Sequence, residues 1–138
     1  MLKFTVLGSG NGGRAFCAQI AAKGYPVTMW EPLDDALDFS KIAEKKEMSL
    51  EGDIHLGGPI EVTKDIAAAM KGAVVLLVVV PSFAHEPIFR KMIPLLEDGQ
   101  NVLVVPGNFA AYRLKKMMSD AGCKKKITIS CTETMPYA

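Results

Sequence analysis

The run Gly8-Ser9-Gly10-Asn11-Gly12-Gly13 constrains this chain more than any other segment, because it sets glycines at the three fixed positions of G-x-G-x-x-G. Its setting gives those positions meaning. Phe4 to Leu7, a short β-rich apolar run, leads directly into it, and a helical stretch from Gly12 to Lys23, closed by Gly24, leads out. A strand that turns tightly into a helix needs one glycine for the turn, a second where backbone approaches a phosphate, and a third where helix and strand touch. Unpaired N–H groups and the positive end of the helix dipole then face the same point, which suits a pyrophosphate. Asn11 and Gly12 extend the turn, and the Ser9 hydroxyl is a further donor. A glycine-rich turn without a ligand is the alternative.

The remaining chain alternates strand-like and helix-like segments. Val27 to Trp30 reads as a second strand, Leu33 to Glu47 as a helix with Leu37, Ile42 and Ala43 inward, and Ile60 to Thr63 as a third strand. The connection Met48 to Pro59 is rich in glycine and has no periodicity. After a short helix, Ile66 to Lys71, comes Val74 to Val80, a β-branched run without alternation, as expected of a strand buried on both faces. Glu86 to Leu96 follows as a helix with Pro87 in its first turn and Pro94 near its end. Asn101 to Val105 is a fifth strand, Ala110 to Ala121 a helix closed by Gly122, and Ile127 to Cys131 a sixth strand. The prediction is an α/β chain: one Rossmann domain over residues 1–138, a doubly wound parallel sheet of about six strands with helices on both faces. Right-handed crossovers give the order 3-2-1-4-5-6, with the ligand crevice at the carboxyl ends of strands one and four.

Composition narrows the partner. Of 138 residues 49% are hydrophobic and 22% charged, enough for one buried core. Sixteen basic against fifteen acidic side chains leave no footprint for nucleic acid or an anionic membrane, so a small molecule is expected. The longest apolar stretch, Ala73 to Val80, is far below the roughly 20 residues of a membrane helix, and no signal-peptide core precedes the first glycines. Cys17, Cys123 and Cys131 lie far apart without metal-ligand spacing, which predicts no metal and suits free thiols in a reducing cytoplasm. A homo-oligomer stays open.

Further candidate residues border the expected crevice. Glu31 ends the second strand 18 positions beyond the last glycine, where an acidic side chain accepts hydrogen bonds from the adenosine ribose and repels a 2′-phosphate. This favours NAD(H) over NADP(H), with Arg14 keeping NADP(H) in play; the alternative is a solvated loop carboxylate. Val80 ends the fourth strand, and Pro81, Ser82 and Phe83 follow it where diphosphate and nicotinamide ribose should pass. His85, next along, titrates near neutrality, so it is either an acid–base group or a cap. Asn108, in Pro106-Gly107-Asn108, presents an amide to nicotinamide or substrate, or caps the next helix.

These segments together resemble the octopine/nopaline (opine) dehydrogenases. The resemblance rests on G-S-G-N-G-G at Gly8 to Gly13, on Val27-Thr28-Met29-Trp30-Glu31, on Val80-Pro81-Ser82-Phe83-Ala84-His85, on Pro106-Gly107-Asn108, and on Glu133-Thr134-Met135-Pro136-Tyr137-Ala138. It implies an NAD(P)-binding domain of an enzyme that reductively condenses an amino acid with a 2-oxo acid. It also implies a further, helical domain beyond Pro136-Tyr137-Ala138 that supplies the catalytic histidine and much of the substrate site, and this chain stops at Ala138. The catalytic residues are therefore left unassigned. Two other readings are a relative of glycerol-3-phosphate dehydrogenase, which shares the G-S-G-N-x-G turn, and a stand-alone NADH-sensing module without catalysis.

Overall fold

The computed structural model describes residues 1–33, 39–52 and 55–137. Three strands of the first half, β1 (Phe4–Leu7), β2 (Val27–Trp30) and, after an intervening hairpin, β5 (Glu61–Thr63), lie parallel in the order β5-β2-β1. Crossing back beside β1, the chain adds β6 (Val75–Val78), β7 (Asn101–Val104) and β8 (Thr128–Cys131), again parallel. The sheet reads β5-β2-β1-β6-β7-β8, the expected 3-2-1-4-5-6, with its reversal point between β1 and β6.

The pleat divides two cores. Leu76 and Val78 of β6 point into one, together with Leu7, Trp30, Phe89, Met92 and Leu114. Leu77 of the same strand and Val79 just past it point into the other, with Val6, Cys17, Ala18, Met29 and Val105. The first face is covered by α3 (Ile66–Met70), α4 (Ser82–Met92) and α5 (Ala110–Asp120), the second by α1 (Asn11–Ala22) and α2 (Phe39–Lys45). Helix α3 starts on Asp65, whose Oδ1 accepts from the N–H groups of Ala67 and Ala68 at 2.8 and 3.3 Å.

Three expectations change. The helix expected from Leu33 to Glu47 runs only over α2; Ile42 and Ala43 are half-buried, Phe39 is its buried anchor, and Leu37 lies outside the described residues. The patternless connection is an antiparallel hairpin, β3 (Glu47–Leu50) with β4 (Leu56–Pro59), laid on α1. Gly58 makes that contact: a Cβ on it would come within 3.1 Å of the Ala21 backbone. Helix α4 starts four residues before the expected Glu86, at Ser82 behind the N-cap Pro81, and gives way to a single 3-10 turn at Ile93–Leu95. Pro87 thus sits inside the helix, on its exposed side, where the N–H it lacks leaves the carbonyl of equally exposed Phe83 without a helical partner.

Candidate functional site

The turn between β1 and α1 uses its glycines in three ways. Gly8 holds φ at 120°, and a Cβ there would overlap the Val79 carbonyl oxygen. A Cβ on Gly13 would overlap the Gly8 carbonyl oxygen, so both residues are glycine for the sake of the chain's own packing. Gly10 is different. It caps α1 at φ −65° and ψ 176°, a conformation open to any residue, and a Cβ on it would meet nothing within 4 Å. Neither strain nor packing accounts for glycine there.

That open space faces a helix terminus. The first bond of the α1 ladder is Arg14 N–H to the Gly10 carbonyl at 2.9 Å, so the N–H groups of Asn11, Gly12 and Gly13 lie ahead of it. No acidic side chain occupies the first turn of α1, α4 or α5, the helices that follow β1, β6 and β7. An anion at the α1 terminus therefore meets donors and no opposing carboxylate in that turn.

Glu31, one residue past β2, is buried rather than solvated. Its Oε2 accepts from the Ser9 N–H at 3.2 Å and the Ser9 hydroxyl at 2.7 Å, while Oε1 accepts from the Leu33 N–H at 3.0 Å. The Ser9 hydroxyl is thus donated to Glu31 in this structure. A carboxylate offers about four acceptor directions, so three donors leave room for a ribose hydroxyl, with the Ser9 oxygen as a neighbouring acceptor. Arg14 donates Nε–H to the Ser9 carbonyl at 2.7 Å, bracing the turn from its other side.

Two clefts meet over Gly10. The first, of about 440 Å³, lies between Trp30, Glu31, Pro32 and Leu33 on one wall and Val80, Pro81, Phe83 and Pro87 on the other. The second, of about 330 Å³, runs across the reversal point, from Gly10, Gly12 and Val80 through Pro81 and Ser82 to Pro106, Asn108 and Met135. Most candidate residues are thereby brought together. Asn108 borders the second cleft at φ 38°, and α5 takes its N-cap from Phe109 without a side-chain bond, so the capping alternative for Asn108 is not realised. Val80 is half-buried, whereas Phe83 stands 83% exposed at the lip of the first cleft.

His85 is turned away from this chemistry. It is buried within α4, with its ring stacked on Phe89 at 5.8 Å between centroids, and its Nε2 has no hydrogen-bond partner. Burial pulls its pKa below the ordinary histidine range, and the positive charge of Arg113 adds to that; a hydrogen bond to the Val80 backbone works the other way. The ring thus serves as a neutral brace under the turn after β6. Sequence reasoning missed Lys91 and Leu33 in the first cleft and Met135 in the second. Lys91 lies at helical spacing from Ala84 and Pro87, a signal hidden by starting the helix too late; its ammonium stands 5.8 Å from the Trp30 ring centroid.

Residues 3–132 match the family described as the N-terminus of NAD-dependent glycerol-3-phosphate dehydrogenase. The chain belongs to this family. The likeness of individual relatives to the chain differs in extent. Opine dehydrogenase of Arthrobacter sp. strain 1C is 34% identical over 137 residues, covering 97% of this chain and 37% of that protein. Glycerol-3-phosphate dehydrogenase of Anaeromyxobacter dehalogenans strain 2CP-C is 34% identical over 87 residues, which is 63% of this chain and 26% of that protein. Octopine dehydrogenase, solved with NADH and L-arginine, superposes with a TM-score of 0.84 at 27% identity, over 100% of this chain and 36% of that one. The resemblance to opine dehydrogenases and the Rossmann fold read from the sequence are both borne out. The chain spans little more than a third of the length of the opine relative. Among the described residues no helix is long and apolar enough to cross a membrane.

Proposed function

We propose that this chain is the NAD(H)-binding domain of an opine-type dehydrogenase, and that the observation carrying this reading is the open space at Gly10. The pyrophosphate rests there on the N–H groups that open α1. The adenosine ribose lies against Glu31 and Ser9, and the adenine between Pro32 or Leu33 and Phe83. The nicotinamide half crosses to Val80, Ser82 and Asn108. When bound, the dinucleotide supplies the hydride; the chain's own residues position it and keep the reversal point dry. An opine partner is favoured over glycerol 3-phosphate because the opine relative matches 97% of the chain, against 63% for the Anaeromyxobacter glycerol-3-phosphate enzyme and 74% for that of Desulfotalea psychrophila. The amino acid, the oxo acid and the catalytic acid are held by a further domain in this reading, and the free thiols Cys17, Cys123 and Cys131 suit a cytoplasmic enzyme.

Two tests follow from it. Exchanging Glu31 for Gln is expected to narrow the preference for NADH over NADPH by about 1–3 kcal/mol, the worth of a hydrogen bond to a charged group. Calorimetric titration of both cofactors checks this, and equal affinities in the unmodified chain would refute the ribose role. The preference is finite, because Lys91 borders the same cleft. In the second test, the 138-residue chain is expected to bind NADH yet to form no opine from pyruvate and a panel of amino acids, since condensation needs an imine within about 3–3.5 Å of the hydride donor and a positioned proton source. Opine formation by this chain that vanishes in His85→Ala would move the catalytic acid into the domain.

A further inference from the structure

The segment after β8 belonged to the resemblance but has no role in the reading above. It does not leave the domain. From Glu133 it turns back over α1, where Gly12, Phe16 and Gln19 follow one another along a single helical face. Met135 lies on Gly12: a Cβ there would stand 2.8 Å from Met135 Cε, 3.0 Å from its Sδ and 3.2 Å from Val79 Cγ1. Tyr137 anchors the end of the segment, its ring set edge-on to Phe16 at 4.9 Å between centroids and its hydroxyl donating to Gln19 Oε1. Gly12, expected to extend the phosphate turn, is thus the seat of a methionine. With that seat filled, Met135 joins Gly10, Gly12, Pro106 and Asn108 around the second cleft.

We propose that Met135 is the apolar wall on which the nicotinamide half of the cofactor rests, and that Tyr137 latches it in place. A thioether suits that task, since it is polarizable, has three rotatable bonds and makes favourable contacts with flat rings. The half-buried side chain is backed by Val79 and the α1 core, so it yields little when a ring lies against it. Met135 also stands on the α1 side of the cleft, leaving the Asn108 side as the route by which a substrate approaches the ring.

This inference rests on the dinucleotide reading, and ADP-ribose, which lacks the nicotinamide ring, separates the two. Titrations of NADH and ADP-ribose are compared for the unmodified chain, Met135→Ala, Met135→Leu and Tyr137→Phe, each checked by thermal melting. The unmodified chain is expected to bind NADH more tightly than ADP-ribose. Met135→Ala should weaken NADH by about tenfold while ADP-ribose changes by less than about twofold, and Met135→Leu should restore most of the loss. Tyr137→Phe should move in the same direction by a smaller factor. An unchanged ratio of NADH to ADP-ribose affinity in Met135→Ala, or equal affinities in the unmodified chain, overturns the role of Met135 and leaves the dinucleotide site standing. Failure of the unmodified chain to bind ADP-ribose overturns the dinucleotide site itself, and the wall with it.

Discussion

A Gly10→Val chain is expected to melt with the unmodified protein and yet to lose NADH affinity by at least about a hundredfold, or roughly 2.7 kcal/mol. The two halves of that expectation have separate causes. A Cβ at this position meets no protein atom within 4 Å, and the backbone angles are ordinary for valine, so the folded state gains no clash. The branched side chain would instead stand in front of the N–H groups opening α1, where the pyrophosphate must make several charge-assisted hydrogen bonds at once. Circular dichroism melts alongside calorimetry separate the effects. Unchanged NADH affinity in a chain that melts normally would remove the pyrophosphate from this turn.

Gly13→Ala is expected to do the reverse, destabilising the chain by about 3 kcal/mol through a single methyl group. The atom it strikes is the Gly8 carbonyl oxygen, which cannot swing aside, because Gly8 is itself jammed against Val79 and donates its N–H to the Trp30 carbonyl at 2.9 Å. Relief requires α1 to lift from β1, opening the core around Val6, Cys17 and Ala18. Urea unfolding with an unchanged slope and a lowered midpoint is the expected result; a midpoint equal to that of the unmodified chain would mean that the helix has slack this packing does not show. One loop thus holds a glycine that the fold leaves free to change and another that the fold requires.

Strand order and site were legible to different depths. The sheet could be read because each buried strand is a short apolar run bounded by glycine, proline or charge, and because right-handed crossovers leave few arrangements for six such runs. The β3–β4 hairpin could not, since its glycines remove the strand signal in order to let backbones approach, Gly57 against β3 and Gly58 against α1. The start of α4 was obscured by Pro87, whose first-turn preference outweighed a helix that the exposed face tolerates. Glu31 was legible from spacing after Gly13, but not its tie to Ser9, a pairing across 22 positions that only the juxtaposition of β1 and β2 creates. Met135 left no local mark at all, because what defines it is the missing side chain of Gly12.

The division of β6 between two cores has a bearing on accuracy. Neighbouring residues of this strand and its extension answer to opposite sides of the sheet, Leu76 and Val78 to α4 and α5, Leu77 and Val79 to α1. A slip of one position would exchange the two sets wholesale, so intermediate placements have nowhere to settle. The strand works like a key with teeth on both edges: turned by one notch, it fits neither lock. Val79 and Val80, carried at its tip, form the floor of both clefts, so the site draws its positional tolerance from hydrophobic alternation several residues upstream and needs no rigid loop of its own.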